Sequence, residues 1–444
     1  MRRGIFTVSN PKPVQVKGML KNNQNFPRRR KATYFFAFLF SMAYLCLLIF
    51  APSLRMGFKK SAAAPSLEQE RERAQRLLLS GRHDASGRYR ILSFVFQGTR
   101  WAALSMNASS VCVATQICMD QLDSVPPFVD SAPGAVSVAL FVPRDQLVSA
   151  LVMLQFLRLC SRNFREKASV HFIVPHGQSF LDQNVVETAG PLNLDCRHSA
   201  GEVLEAITAG RRLKLAAKEA RPPAGMLRNV GLEHCHNEWR ASIDPHMLFP
   251  ETLGAAALAD FLATRDQQAE KSAFVLPEYV LVRGEMPKNR AELLSHFLDG
   301  KVRPKGDNEE AYAASLLQRW QRHGTASSSR VQVAFKLLKF NFAFQPAFVT
   351  KLGSPRFDER YSQDAMAKFS QVYEMLMQDY QFYVLDNAYL CGYRDEISTT
   401  PLSSDLHIFH ESHLSELISR YERDPLALLK HDHMRHGNLR EKYV

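Results

Sequence analysis

Asp244 and His246, in the segment Ile243-Asp244-Pro245-His246-Met247, are the residues whose types and spacing suggest chemistry first. A carboxylate just after a strand, with a second ligand two positions on, can hold a divalent ion against a diphosphate. Such an ion offsets the charge that builds on a departing nucleotide. A strand end followed by a proline turn reads from the same residues. Phe357-Asp358-Glu359-Arg360-Tyr361 sets two carboxylates beside an arginine. Asp358 or Glu359 can act as general base toward a hydroxyl, or simply form a local ion pair on a solvated loop. Arg228 and Asn229 precede the Asp244 segment, and a guanidinium suits bidentate binding of phosphate or carboxylate. Asn289 ends a polar loop, Met286-Pro287-Lys288-Asn289, that follows a predicted strand. These three are the candidate nucleotide contacts, with Asp244 and His246 as candidate metal ligands.

The remaining chemistry-bearing residues give weaker patterns. His407, His410, His413, His431, His433 and His436 gather near the C-terminus without a carboxylate or cysteine at a zinc spacing. They read as solvated histidines on a helix or tail. GxGxxG, P-loop, GxSxG, HExxH and CxxC motifs are all absent. Of seven cysteines, Cys46 lies in an apolar run, and the other six can form disulfides whose pairing the spacing leaves open.

The elements that must position these residues alternate along the chain. Residues 111–115, 136–142 and 170–174 read as strands, and Leu147–Cys160 is apolar at helical length. Strand, helix and strand at this spacing predict a βαβ unit, hence a mainly parallel sheet with a right-handed crossover. Further strands are predicted at 274–283, 331–340 and 382–385, with loops at 266–271 and 324–329. Ligands in such α/β sheets sit at the carboxyl ends of the strands.

Ahead of this region lies a different composition. Residues 32–54 are 23 residues without a charge, preceded by a tail holding nine Lys or Arg and no acid. About 20 helical residues cross a bilayer, and the basic flank places the N-terminus in the cytoplasm. The run is too long for the 7–15-residue apolar core of a signal peptide. The tail also carries most of the net charge of +12, so the basic balance does not argue for nucleic acid. The expected layout is a cytoplasmic tail over 1–31, a signal-anchor over 32–54 and a stem over 55–83 with a short helix at 68–79. A domain then follows over 84–425, with a His-rich tail over 426–444. The sequon at Asn107 fits a lumenal location.

The order of these segments resembles the β-1,4-glucuronyltransferase family, glycosyltransferase family 49, which also includes the second catalytic domain of the LARGE enzymes. The resemblance runs from Asp84 to about Arg394. It is carried by residues 84–90, by the 136–142 strand with its helix, and by 226–230, 243–247, 283–289, 300–304 and 355–361. It implies a GT-A-like, Rossmann-type α/β domain, inverting chemistry, Mn2+ and a UDP-sugar donor. A glycan on a glycoprotein is the implied acceptor, in the Golgi lumen. Under it Asp244 and His246 face metal and diphosphate, Arg228, Asn229 and Asn289 contact the nucleotide, and Asp358 or Glu359 is the base. The implied sugar is glucuronic acid, with N-acetylglucosamine the other donor considered. The other partners expected are the bilayer and a second transferase, with no nucleic acid.

Three departures stand beside the resemblance. The family pattern Asp-x-Asp reads Asp244-x-His246 here, which removes one negative charge. Residues 237–242, leading into it, are polar where the family is apolar. Residues 389–393 lack the histidine that the family carries after its last strand. They set up the competing expectation of a catalytically impaired relative acting as a lumenal binding or partner protein.

Overall fold

The apolar run at 136–142 becomes the buried strand Val136–Phe141 of a large sheet, every residue of it shielded from solvent. The computed structural model describes residues 72, 76–107, 110–143, 146–176, 195–208, 224–265, 270–305, 319–322, 330–338, 340, 345–393 and 403–428. All of these fall in one compact unit, Pro65–Val444. The tail over 1–31, the apolar run over 32–54, His431, His433 and His436, and most of the loops at 266–271 and 324–329 lie outside them. Among the described residues no helix is long and apolar enough to cross a membrane.

Fourteen strands are described: β1 Arg82–His83, β2 Tyr89–Phe96, β3 Val111–Cys118, β4 Val136–Phe141, β5 Ala168–Pro175, β6 Trp239–Ser242, β7 Met247–Leu248, β8 Ser272–Leu276, β9 Glu278–Leu281, β10 Val302–Pro304, β11 Gln332–Lys336, β12 Ala347–Lys351, β13 Gln381–Asp386 and β14 Leu390–Gly392. Ten form one sheet in the order β1-β2-β5-β4-β3-β6-β12-β8-β13-β11, and four form a second in the order β10-β9-β14-β7. The predicted βαβ unit is present: β4 and β5 are parallel and joined through Leu147–Cys160. β3 pairs in parallel with both β4 and β6, so the parallel core is β5-β4-β3-β6. Antiparallel β2 and β12 flank that core, which makes the sheet mixed rather than mainly parallel.

Alternation along β4 explains its burial on both faces. Val136, Val138 and Leu140 pack with Leu151, Leu154 and Phe156 on one side. Ala139 and Phe141 pack with Met226, Leu227 and Val230 on the other.

One strand expectation is corrected. The run 274–283 is not one strand. Pro277 cannot donate to a ladder, and the chain leaves the large sheet as β8 and enters the small one as β9. The stretch before Asp244 is the strand expected there, polar residues included. Trp239 and Ala241 in β6 are buried while Arg240 and Ser242 are half-buried, an alternation rather than an apolar run.

Strand pairing starts at Arg82, two residues ahead of the expected start at Asp84, and Leu78 of the predicted stem is buried in the core. Disulfides join Cys112 to Cys235 and Cys160 to Cys196, and neither Cys118 nor Cys391 is in a disulfide. A bulge in β2 puts Phe94 at φ 51°, where its N–H donates to His171 Nδ1 at 2.9 Å. His171 stacks on His234 at 3.7 Å between ring centroids, and His234 Nε2 lies 2.8 Å from Ser93 Oγ.

Candidate functional site

The helix Ala224–Glu233 holds the centre of the site because it can approach closely on both sides. A Cβ on Gly231 would lie 3.1 Å from the Ala114 Cβ in β3, and one on Gly225 only 2.3 Å from the Asp358 carbonyl oxygen. Glycine at these positions lets the helix sit between the sheet and the 355–364 segment. Arg228 and Asn229, in its middle, are buried there.

Asp244 lies two residues past the end of β6, at the carboxyl ends of the parallel core. β3 leads to β4 on one side and borders β6 on the other, so the chain order reverses here, which is where open α/β sheets bind ligands. The position is also a seam, since β6 ends the large-sheet stretch at Ser242 and β7 opens the small-sheet stretch at Met247. Six charged side chains converge on it. Asp244 Oδ1 accepts from Arg228 Nη2 at 2.5 Å and from Gln116 Nε2 at 3.1 Å. Asp244 Oδ2 accepts from Lys305 Nζ and Lys368 Nζ, each at 2.9 Å. Lys305 also reaches Glu278 Oε1 at 2.9 Å, and Lys368 reaches Asp364 Oδ2 at 2.9 Å. Arg228 closes the ring on Asp364 at 2.6 and 2.8 Å and donates to Ser242 Oγ at 2.7 Å.

Burial pushes the Asp244 carboxyl up, but the charges of Lys305, Lys368 and Arg228 outweigh it and hold the group well below the usual carboxylate range. Burial likewise pulls Lys305 down, and Asp244 and Glu278 more than reverse that. Both residues are therefore ionised at neutral pH.

The second predicted pair is organised differently. Asn229 Nδ2 donates to Phe357 O and to Glu359 Oε1, each at 2.8 Å, and its Oδ1 accepts from Phe357 N at 2.9 Å. Those bonds pin the 357–359 segment to the helix, so Asn229 is a clamp on the loop. Asp358 accepts from Arg360 through both carboxylate oxygens, at 2.6–3.0 Å, and lies 3.2 Å from His413 Nε2. Burial raises its pKa, and the Arg360 bonds together with His413 bring it net below the ordinary value. His413 Nδ1 is 2.6 Å from the Tyr361 hydroxyl, so this histidine of the predicted tail cluster is a buried partner of Asp358. His407 instead pairs on the surface with Glu411. Glu359 is half-exposed, with Arg356 3.5 Å from its Oε1.

Asn289 has a structural task. Its side chain accepts from Glu292 N and caps the helix Arg290–Leu298, an N-cap in the ordinary sense.

The donor set fits Mn2+ poorly. Both Asp244 oxygens are bonded, and three of the four donors are cationic. Among the described residues no group of three or more His, Cys, Asp or Glu is placed to hold a metal ion. His246 is buried beside β14, where a Cβ on Gly392 would meet Met247 Sδ at 2.7 Å and the His246 carbonyl at 2.9 Å. A third ligand cannot be added at Gly392 without moving that strand.

The structure thus brings Arg228 and Asp244 together, and it adds Lys305, Lys368, Asp364, Glu278 and Gln116, which sequence reasoning missed. One signal was available: Asp364 and Lys368 stand four apart, the spacing of a helical ion pair. Lys305 follows directly on the 300–304 segment that carried the resemblance. A cleft beside the network is lined by Arg228, Arg240, Ser242, Phe348, Phe357 and Lys368.

An α/β sheet with a charged cluster at its switch point has the architecture in which open α/β folds bind their ligands. The family profile described as glycosyl-transferase for dystroglycan matches residues 110–401, and the chain belongs to that family of glycosyltransferases. It is 24% identical to the mouse (Mus musculus) and human (Homo sapiens) proteins named beta-1,4-glucuronyltransferase 1, over 81% of this chain and 86% of theirs. It is 23% identical to the chicken (Gallus gallus) protein named xylosyl- and glucuronyltransferase LARGE2s, over 64% of this chain and 32% of that one.

Proposed function

We propose that this chain moves a sugar, glucuronic acid in the first instance, from a UDP donor to a glycan hydroxyl with inversion. The observation that carries the reading is the charged cluster around Asp244 at the carboxyl ends of β3 and β6, in a chain of this family. The acceptor oxygen bonds to the anomeric carbon while the bond from that carbon to the β-phosphate oxygen breaks. The electron pair of the broken bond leaves with UDP, and the acceptor's proton passes to a carboxylate. Glu359 suits that last role better than Asp358. Its carboxylate is half-exposed, whereas Asp358 is gripped through both oxygens by Arg360 and touched by His413. Arg228, Lys305 and Lys368 supply positive charge where the leaving diphosphate gains negative charge.

The chain reads further as a type II protein of the Golgi membrane with its α/β domain in the lumen. Two observations support this: the uncharged run at 32–54 behind a basic tail, and two disulfides, which persist in oxidising compartments.

Full-length protein incubated with a panel of UDP-sugars and glycan acceptors is expected to give product from UDP-glucuronic acid, with UDP-N-acetylglucosamine as the second donor to try. Glu359→Gln is expected to lower kcat by about 100-fold or more while leaving the donor KM within a few-fold. Failure to turn over any donor, with UDP not bound, would sink the reading.

A further inference from the structure

We propose that Lys305 and Lys368 stand where a divalent cation would, so that the donor's diphosphate is held directly by two ammonium groups and binds without metal. This rests on the UDP-donor reading above and says how that donor is gripped.

The geometry points to it in three ways. First, both Nζ atoms lie 2.9 Å from the same oxygen, Asp244 Oδ2. They form a two-pronged cationic fork on the carboxylate that the family pattern would use to hold metal. They arrive from unrelated elements, Lys305 just past β10 and Lys368 from the helix Asp364–Met377. Each is steadied by a second carboxylate, Glu278 for one and Asp364 for the other. That second partner keeps each ammonium in place when a diphosphate oxygen competes with Asp244.

Second, the charges balance. Asp244, Glu278 and Asp364 face Arg228, Lys305 and Lys368. A metal-binding cluster carries excess negative charge to hold its ion, and here none is left over. A dication placed on Asp244 would sit against three cations, two of them on the oxygen it needs. A diphosphate oxygen instead finds a hydrogen-bond donor: lysine is a phosphate binder, and an ammonium offers three donors of which the carboxylates use two.

Third, the positions that would complete a metal's ligand set are altered. The second acidic position of the pattern is His246, and Gly392 has no room for a side chain beside it.

UDP binding to the full-length protein, measured by calorimetry in EDTA and again with Mn2+ or Mg2+, tests the idea. The expected result is a Kd that changes less than about twofold between the conditions. Lys305→Ala and Lys368→Ala are each expected to weaken UDP about tenfold or more, with Lys305→Arg and Lys368→Arg keeping most of the affinity. Thermal unfolding of each variant separates lost binding from lost folding. Binding that appears only with Mn2+ overturns the proposal and leaves the donor reading standing. Metal-free binding unchanged in the folded double alanine variant overturns it too. Absence of UDP binding under every condition removes the donor reading and this proposal with it.

Discussion

Arg228 is the residue on which most of the site hangs. Its side chain is fully shielded from solvent and serves two carboxylates at once. Removing one partner of a buried ion pair leaves the others without compensation, at a cost of roughly 3–5 kcal/mol. Arg228→Met is expected to lower unfolding free energy by about that much, read from the urea midpoint. Lys305→Ala likewise leaves the Asp244 and Glu278 carboxylates short of a cationic partner, so it is expected to cost stability as well as weaken donor binding. Arg228 and Asp244 were legible in the sequence through the order of short segments around them. Lys305 and Lys368 were not, because they meet Asp244 across 61 and 124 positions. Only the path of the chain through two sheets brings them there. Asn229 and Asn289 were chosen for their neighbours in sequence, and an amide that can bind a ligand can equally clamp a loop or cap a helix.

At the scale of elements, the break at Pro277 does more than end a strand. It puts Glu278 at the first position of β9, where it meets Lys305 just past the paired strand β10 of the same small sheet. The prediction of a single strand over 274–283 followed apolarity, and apolar residues continue on both sides of the proline. β6 was hard to read for the opposite reason: Arg240 and Ser242 line the cleft, so polar and apolar residues alternate over only four positions. The helix Ala224–Glu233 packs closely on the 357–360 loop at Gly225. Gly225→Ala places a methyl 2.3 Å from the Asp358 carbonyl and must displace that loop. A loss of about 1–3 kcal/mol is expected, with a fall in kcat larger than the fall in donor affinity. Thermal unfolding and a split of kcat from KM check both parts.

For the molecule as a whole, two buried groups set the response to acid. Burial drives His171 well below the ordinary histidine value, and it lowers His234 as well. Both are neutral in the folded protein, whereas the unfolded chain binds their protons below about pH 6.5. Stability from this pair is therefore full above that pH and falls as pH drops from about 6.5 toward the lowered folded values. Urea unfolding at pH 7.5, 6.5 and 5.5 is expected to show that decline, and replacing His234 by Gln to make it shallower. The Cys112–Cys235 disulfide spans 123 positions and ties the start of β3 to the turn before β6. Its loss is expected to cost about 2–5 kcal/mol, measurable with Cys112→Ser together with Cys235→Ser. The pairing also has a history during synthesis. Cys160 and Cys196 lie wholly inside the interval from Cys112 to Cys235, so the small loop is nested in the large one. A chain that emerges N-terminus first can close the inner bond early. Cys112 must meanwhile wait for its partner with Cys118 six positions away as a ready decoy. Newly made chains trapped by a thiol reagent should therefore show the inner bond before the outer one.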